Sequence, residues 1–213
     1  MPVEVKICGL STAETMAAAL DAGADYVGLV FYPRSPRHVS LDQARALAAQ
    51  ARGRAKIVAL TVDAPDGELH HIVETVAPDY VQAHGAESPE RVEAIARQFR
   101  PVIKAIAVKT SDDVLAARDY GGADLWLFDA KAPETLANAL PGGNGVTFDW
   151  NLLASGRPRR FMLSGGLHPE NVAQAIRVTG APIVDVSSGV ESAPGVKDIA
   201  RIRNFIEAAR RAR

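Results

Sequence analysis

Residues 3–14 read Val3-Glu4-Val5-Lys6-Ile7-Cys8-Gly9-Leu10-Ser11-Thr12-Ala13-Glu14, and they hold a strand, a turn and the start of a helix. Val3, Val5 and Ile7 alternate with Glu4, Lys6 and Cys8, the period-two pattern of a strand with two different faces. Ser11-x-x-Glu14 then spells a capping box, the signature of a helix N-terminus. The same unit recurs along the chain. Short apolar, β-branched segments at Val3–Ile7, Tyr26–Phe31, Lys56–Val62, Tyr80–Ala83, Val102–Val108, Leu125–Phe128, Phe161–Leu163 and Ile183–Val186 are expected strands. Between them apolar residues fall at helical spacing, as in Ala44, Leu47, Ala48, Ala51 and in Val92, Ile95, Ala96, Phe99. Ser40-x-x-Gln43 is a second capping box, and Ser88-Pro89 sets a cap before a first-turn proline.

Eight strands alternating with helices imply parallel βαβ units. An open, doubly wound sheet would satisfy that pattern too. Eight units within 213 residues favour closure. The expected fold is therefore an α/β, single-domain (βα)8 TIM barrel spanning residues 1–213. Its loops must be lean, with one exception. From Lys131 to Val146 the residues Pro133, Pro141, Gly142, Gly143 and Gly145 interrupt any helix, and a long loop in a compact domain is usually functional. We expect it to close over a bound molecule and shield Asp129.

Composition narrows the partners. With 24 Lys plus Arg against 25 Asp plus Glu, the formal net charge of -1 offers no general attraction to nucleic acid or to an anionic membrane. Arg210, Arg211 and Arg213 read as a solvated helix end. No apolar run approaches the ~18 residues of a membrane span, and the N-terminus lacks a signal-peptide pattern. A single cysteine, Cys8, excludes an intrachain disulfide and suits a reducing compartment, so the expected location is cytoplasmic. His70 and His71 are adjacent and lie at no metal-ligand spacing, and neither a metal nor a cofactor is expected. The association state stays open between monomer and homodimer.

In a barrel of this kind the chemistry sits at the C-terminal ends of the strands. There the chain places Cys8-Gly9, Ser35-Pro36-Arg37, Asp63, His84-Gly85, Asp129, Ser164-Gly165-Gly166 and Ser187-Ser188-Gly189. Alternation turns Cys8 into the barrel mouth with Lys6 beneath it, pairs Gln82 with His84, and pairs Asp185 with Ser187. A nearby Lys6 ammonium would favour the Cys8 thiolate. Gly165, Gly166, Ser187, Ser188 and Gly189 supply two loops rich in backbone N–H groups after strands seven and eight. Barrels frequently bind phosphate there, so a small phosphorylated substrate is expected. Taken singly, Cys8 also reads as a small buried hydrophobe, Asp129 as a turn or cap residue, Arg37 as a solvated loop charge, and His84 as a rim residue bonded to backbone. Trp126 is expected to pack between barrel and helices.

The same residues carry a family resemblance. Lys6-Ile7-Cys8-Gly9-Leu10, Ser35-Pro36-Arg37, Val81-Gln82-Ala83-His84-Gly85, Gly143-Asn144-Gly145 with Phe148-Asp149-Trp150, Leu163-Ser164-Gly165-Gly166-Leu167 and Asp185-Val186-Ser187-Ser188-Gly189-Val190-Glu191 resemble, in order, the motifs of phosphoribosylanthranilate isomerases. Ala83, Asn144 and Ser164 depart from the leucine, threonine and alanine usual in that family. The resemblance implies an aldose–ketose isomerase of tryptophan biosynthesis. Its reaction is the Amadori rearrangement of N-(5-phospho-β-D-ribosyl)anthranilate to 1-(2-carboxyphenylamino)-1-deoxy-D-ribulose 5-phosphate. It further implies Cys8 as general base, Asp129 as a general acid held protonated by burial, and Arg37 as a bidentate grip on the anthranilate carboxylate. The alternatives are another phosphosugar (βα)8 isomerase or epimerase, which usually sets carboxylates or metal-binding histidines where Cys8 stands, and a non-enzymatic phosphometabolite-binding barrel.

Overall fold

The computed structural model describes residues 2–131, 142–143 and 145–212. Eight parallel strands close into a barrel in sequence order: β1 (Glu4–Cys8), β2 (Tyr26–Val30), β3 (Lys56–Thr61), β4 (Tyr80–Ala83), β5 (Val102–Val108), β6 (Leu125–Ala130), β7 (Met162–Leu163) and β8 (Ile183–Val186). Closure rests on β1, which pairs with β2 on one side and β8 on the other. The helices are α1 (Ala13–Asp21), α2 (Leu41–Ala51), α3 (Asp66–Val76), α4 (Pro89–Gln98), α5 (Ser111–Ala116), α6 (Val172–Thr179) and α7 (Ile199–Arg210). Among the described residues the β6–β7 connection carries only a 3-10 helix, Trp150–Ser155. The expected lid, Lys131 to Val146, lies mostly outside the described residues.

Three helices start where a hydroxyl accepts an orphan N–H, though not always at the expected residue. Ser40 and Ser88 cap α2 and α4, accepting from the Gln43 and Arg91 amides. Gln43 completes no box, since its side chain donates to Ser11 O instead. The cap of α1 is Thr12, one residue after the expected Ser11, and it accepts from Thr15 N at 3.2 Å.

The strands feed two cores. One face, with Val5, Ile7, Val27, Leu29, Ile57, Ala59, Phe128 and Val184, packs against the helices. Trp126 packs on this side as expected, 6.5 Å from Phe128 edge-on, its Nε1 donating to Tyr120 O. The other face fills the barrel with Tyr26, Val58, Ile103, Leu125, Leu127, Met162 and Ile183. Two residues further along this inner face, β6 passes from Leu127 to Asp129 and β7 runs on from Met162 to Ser164. The period-two pleat therefore lifts polar side chains onto the barrel's mouth.

Candidate active site

A pocket opens at that mouth, with about 770 Å³ of space between its atoms, mouth included. Cys8, Arg37, His84, Asp129, Gly165, Gly166, Ser187 and Ser188 all line it, so six of the seven strand ends or loops singled out in the sequence converge; Asp63, after β3, is not on the wall. Gly189 is not on the wall. It sits in a 3-10 turn, Ser188–Val190, with its Cα against Leu167 O.

Cys8 is buried, and Lys6, fully buried beneath it, is near enough for its charge to bear on the thiol. Lys6 Nζ also meets Asp185 Oδ1 at 2.8 Å, while Ser164 Oγ donates to Asp185 Oδ2 at 3.3 Å. Burial pushes the Cys8 thiol up, Lys6 and Lys197 pull it down, and Asp185 pushes it up again; the net direction is upward. Lys6 favours the thiolate as expected, yet the net shift is the other way. The ammonium is near, but desolvation dominates and Asp185 offsets part of its charge.

Asp129 and His84 form a second cluster. Asp129 is 5% exposed, its Oδ1 accepts from Ala130 N at 2.9 Å, and its Oδ2 stands 3.3 Å from His84 Nε2. His84 Nδ1 lies 2.7 Å from the amide nitrogen of Gln82. Among the described residues, the His84 ring therefore meets side chains, not backbone.

Arg37 is no solvated loop charge: it is 5% exposed. Its Nε and Nη2 donate to Glu191 Oε1 and Oε2 at 2.7 and 2.8 Å. Glu191 also accepts from Lys197 Nζ at 2.6 Å, and Lys197 reaches Ser187 O at 2.9 Å. Glu191 stays well ionised: burial pushes its carboxyl up, but the Arg37 hydrogen bond and the Lys197 charge bring it below the ordinary value. One bidentate face of Arg37 is thus occupied within the protein. Nη2 also donates to Gly143 O at 3.4 Å, and Nη1 donates to no described residue.

Glu191 and Lys197 sit on a small hairpin, β9 (Glu191–Ala193) and β10 (Val196–Lys197), that the sequence reading missed. Its one signal was Pro194-Gly195, a turn dipeptide.

The phosphate-loop expectation has a geometric counterpart. Gly165 and Gly166 adopt φ of 88° and 58°, and the N–H groups of Gly165, Gly166, Ser188 and Gly189 donate to no described residue. Oriented, unspent amides at this rim make an anion site. Asn144 lies outside the described residues.

A closed (βα)8 barrel with a thiol, a carboxyl, a carboxylate-reading arginine and free amides around one pocket has the makings of an acid–base enzyme for an anionic small molecule. The sequence profile described as N-(5'phosphoribosyl)anthranilate (PRA) isomerase matches residues 5–208. An N-(5'-phosphoribosyl)anthranilate isomerase of Rhodopseudomonas palustris (strain BisA53) is 59% identical over 213 residues, 99% of this chain and 97% of the relative. That of Brucella canis is 52% identical, covering 98% and 94%. The crystal structure of phosphoribosyl anthranilate isomerase from Thermotoga maritima superposes with a TM-score of 0.86 at 38% identity, covering 97% of this chain and 98% of that one. A further isomerase structure, in complex with reduced 1-(o-carboxyphenylamino)-1-deoxyribulose 5-phosphate, gives 0.83 at 36% identity and the same coverage. The chain belongs to the N-(5'-phosphoribosyl)anthranilate isomerase family.

Proposed function

We propose that this isomerase converts N-(5-phospho-β-D-ribosyl)anthranilate to 1-(2-carboxyphenylamino)-1-deoxy-D-ribulose 5-phosphate with Cys8 as base and Asp129 as acid. The carrying observation is that Cys8 and Asp129 share one pocket with Arg37 and with the free amides after β7 and β8. The substrate has matching parts: a carboxylate, a ribose ring and a phosphate. The phosphate takes the amides near Gly166 and Ser188, and the carboxylate takes Arg37 Nη1, in a guanidinium that Glu191 holds in place. The sugar then lies between Cys8 and Asp129.

Asp129 gives its proton to the furanose oxygen, and the ring opens to an iminium. Cys8, as thiolate, takes the proton from C2′, forming an enolamine that tautomerises to the ketose. Every atom is conserved, as an isomerisation requires. Because burial holds Cys8 toward the thiol, the fraction active at neutral pH is small, and Lys6 and Lys197 are what sustain it.

The test follows the loss of anthranilate-type fluorescence with freshly made substrate. Cys8→Ala and Asp129→Asn should each lower kcat by roughly 10²- to 10⁴-fold, the range for one general acid or base. Normal turnover in either variant removes that residue's role.

A further inference from the structure

We infer that Lys197 is a positioning residue for the phosphate end of the substrate: it holds the Ser187–Ser188 peptide so that the Ser188 N–H is aimed at the anion. The inference rests on the reading that phosphate takes the amides after β8. Lys197 ends β10, and its side chain is only 1% exposed. Burying an ammonium is costly unless its charge and its hydrogens are met. Its three hydrogens have three oxygens within reach: Glu191 Oε1 at 2.6 Å, Ser187 O at 2.9 Å and Ser187 Oγ at 3.2 Å. Two of those oxygens belong to the residue that enters the loop after β8. Burial draws the pKa of Lys197 down and the Glu191 charge opposes this, with the net direction downward. A cation kept against that pull calls for a reason.

Neutralising Glu191 is not the reason. Arg37 already meets both oxygens of that carboxylate, which makes a neutral pair without Lys197. With Lys197 the cluster holds two cations against one anion, an excess of positive charge beside the pocket.

The bonds to Ser187 supply the reason. A trans peptide is planar, with its C=O and N–H pointing to opposite sides, and no cis bond occurs among the described residues. With Ser187 O drawn to Lys197, the Ser188 N–H is turned away from it. That N–H donates to no described residue, and Ser188 lines the pocket. Val190 N also reaches Ser187 O, but at 3.4 Å, so Lys197 is the closer hold. A carbonyl that accepts from a cation polarises its peptide as well, which strengthens the N–H at the other end.

Lys197 is firmly mounted for this task. It pairs with Glu191 across the hairpin, and the next amide, Asp198 N, donates to Val190 O at 2.9 Å. The hairpin's turn lies so close to the β2–α2 loop that a Cβ on Gly195 would fall 2.5 Å from Pro36 O. One carboxylate and one ammonium thus join the guanidinium at the carboxylate end of the pocket to the peptide at the phosphate end.

The experiment titrates inorganic phosphate into ¹⁵N-labelled protein and reads the Kd together with the assigned Ser188 amide resonance. Turnover is a poor readout here, because the Lys197 charge also bears on Cys8. In wild type the Ser188 amide proton should move downfield as phosphate binds. Lys197→Met keeps the side chain's bulk, and Arg37 still meets Glu191, so the fold should hold. It should weaken phosphate about 10-fold, the worth of roughly one charge-assisted hydrogen bond, and shrink the Ser188 movement. Lys197→Met/Glu191→Gln removes one charge of each sign and so keeps the wild-type net charge. It should bind phosphate as weakly as the single variant, because Ser187 O is still unheld, and it carries the same test should the single variant not fold. Recovery of the wild-type Kd in the double variant would mean that Lys197 acts as a bare charge, and overturns the inference. A lowered urea midpoint with an unchanged phosphate Kd marks a merely structural role and overturns it too. If wild-type protein moves the Ser188 amide and Lys197→Met matches its affinity, this inference alone fails. If wild-type protein binds phosphate without moving that amide, the phosphate reading beneath it fails as well.

Discussion

Gly28→Ala adds one methyl group and should disable the enzyme without unfolding it. Gly28 on β2 stands in register with Cys8 on β1. A Cβ at residue 28 would lie 2.8 Å from the Cys8 sulfur, 3.1 Å from its Cα and 3.3 Å from its Cβ. Ordinary contacts need about 3.5–4.0 Å, so roughly 1 Å must be opened. The backbone resists, because Gly28 O accepts from both Gly9 N and Leu10 N at 2.9 and 3.2 Å. The sulfur therefore moves. Overpacking of this kind costs about 1–3 kcal/mol, and a misplacement of about 1 Å at a reacting group costs on the order of 10²-fold in rate. The expected result is a kcat lower by about that factor, a folded protein and a modestly lower urea midpoint. Since Cys8 is the single cysteine, its alkylation rate reports the displacement directly. Gly67→Ala is the control: it lies in α3 with open space around it, and should stabilise by roughly 0.5–1 kcal/mol. A Gly28→Ala enzyme with wild-type kcat would refute the placement of Cys8 at the reacting carbon.

Cys8 and Glu191 give predictions of opposite sign in pH. Burial raises the Cys8 thiol in the folded protein, so its contribution to stability is complete below the unfolded value of about 8.5 and is lost as pH rises through the folded one. Cys8→Ala should lose less stability than wild type between about pH 8 and 10 in urea melts; equal losses would place the shift elsewhere. Glu191 is lowered, so its contribution is present above about pH 4.3 and disappears as pH falls through the folded value. Glu191→Gln leaves Arg37 and Lys197 as buried cations without their anion. It should cost about 3–5 kcal/mol at neutral pH and flatten the acid limb of stability, measured by circular dichroism; a wild-type acid limb would show that Glu191 carries none of it.

The eight strands were legible because each is an apolar segment bounded by turn residues, and all eight recur with shifts of one or two residues at some ends. Those shifts have local causes. β6 runs on through Asp129 because a carboxyl on the inner face at the barrel mouth does not interrupt the ladder. Thr12 replaces Ser11 as a cap because adjacent hydroxyls have the same chemistry, and only the backbone angle decides between them. The β9–β10 hairpin was illegible: strands of three and two residues are too short to show a period. With it were lost the reasons that Arg37 is buried. Glu191 stood in a quoted motif, but nothing near Lys197 in sequence marks it as the second cation on that carboxylate.

The glycines show why the rest of the site could not be read from any one stretch. Gly165 and Gly166 were read as suppliers of backbone N–H groups, and their left-handed angles agree. A second demand acts on them and on others. A side chain at Gly165 would press within 3.2 Å of Asp129 Oδ1, one at Gly142 would meet His84 and Asp129, and one at Gly143 would meet Arg37 Nη1 at 2.8 Å. For Gly28 and Gly142 the backbone angle makes no demand of its own, so the neighbour alone excludes a side chain. In sequence, Gly28 reads as a weakness inside a strand, costing roughly 0.5–1 kcal/mol. Only the β1–β2 register shows that the missing side chain is the volume the Cys8 sulfur fills. The polar groups of this pocket stand where the facing residue has no side chain, and facing is a property of paired strands and closed loops, which a linear reading reaches only once the barrel has been closed.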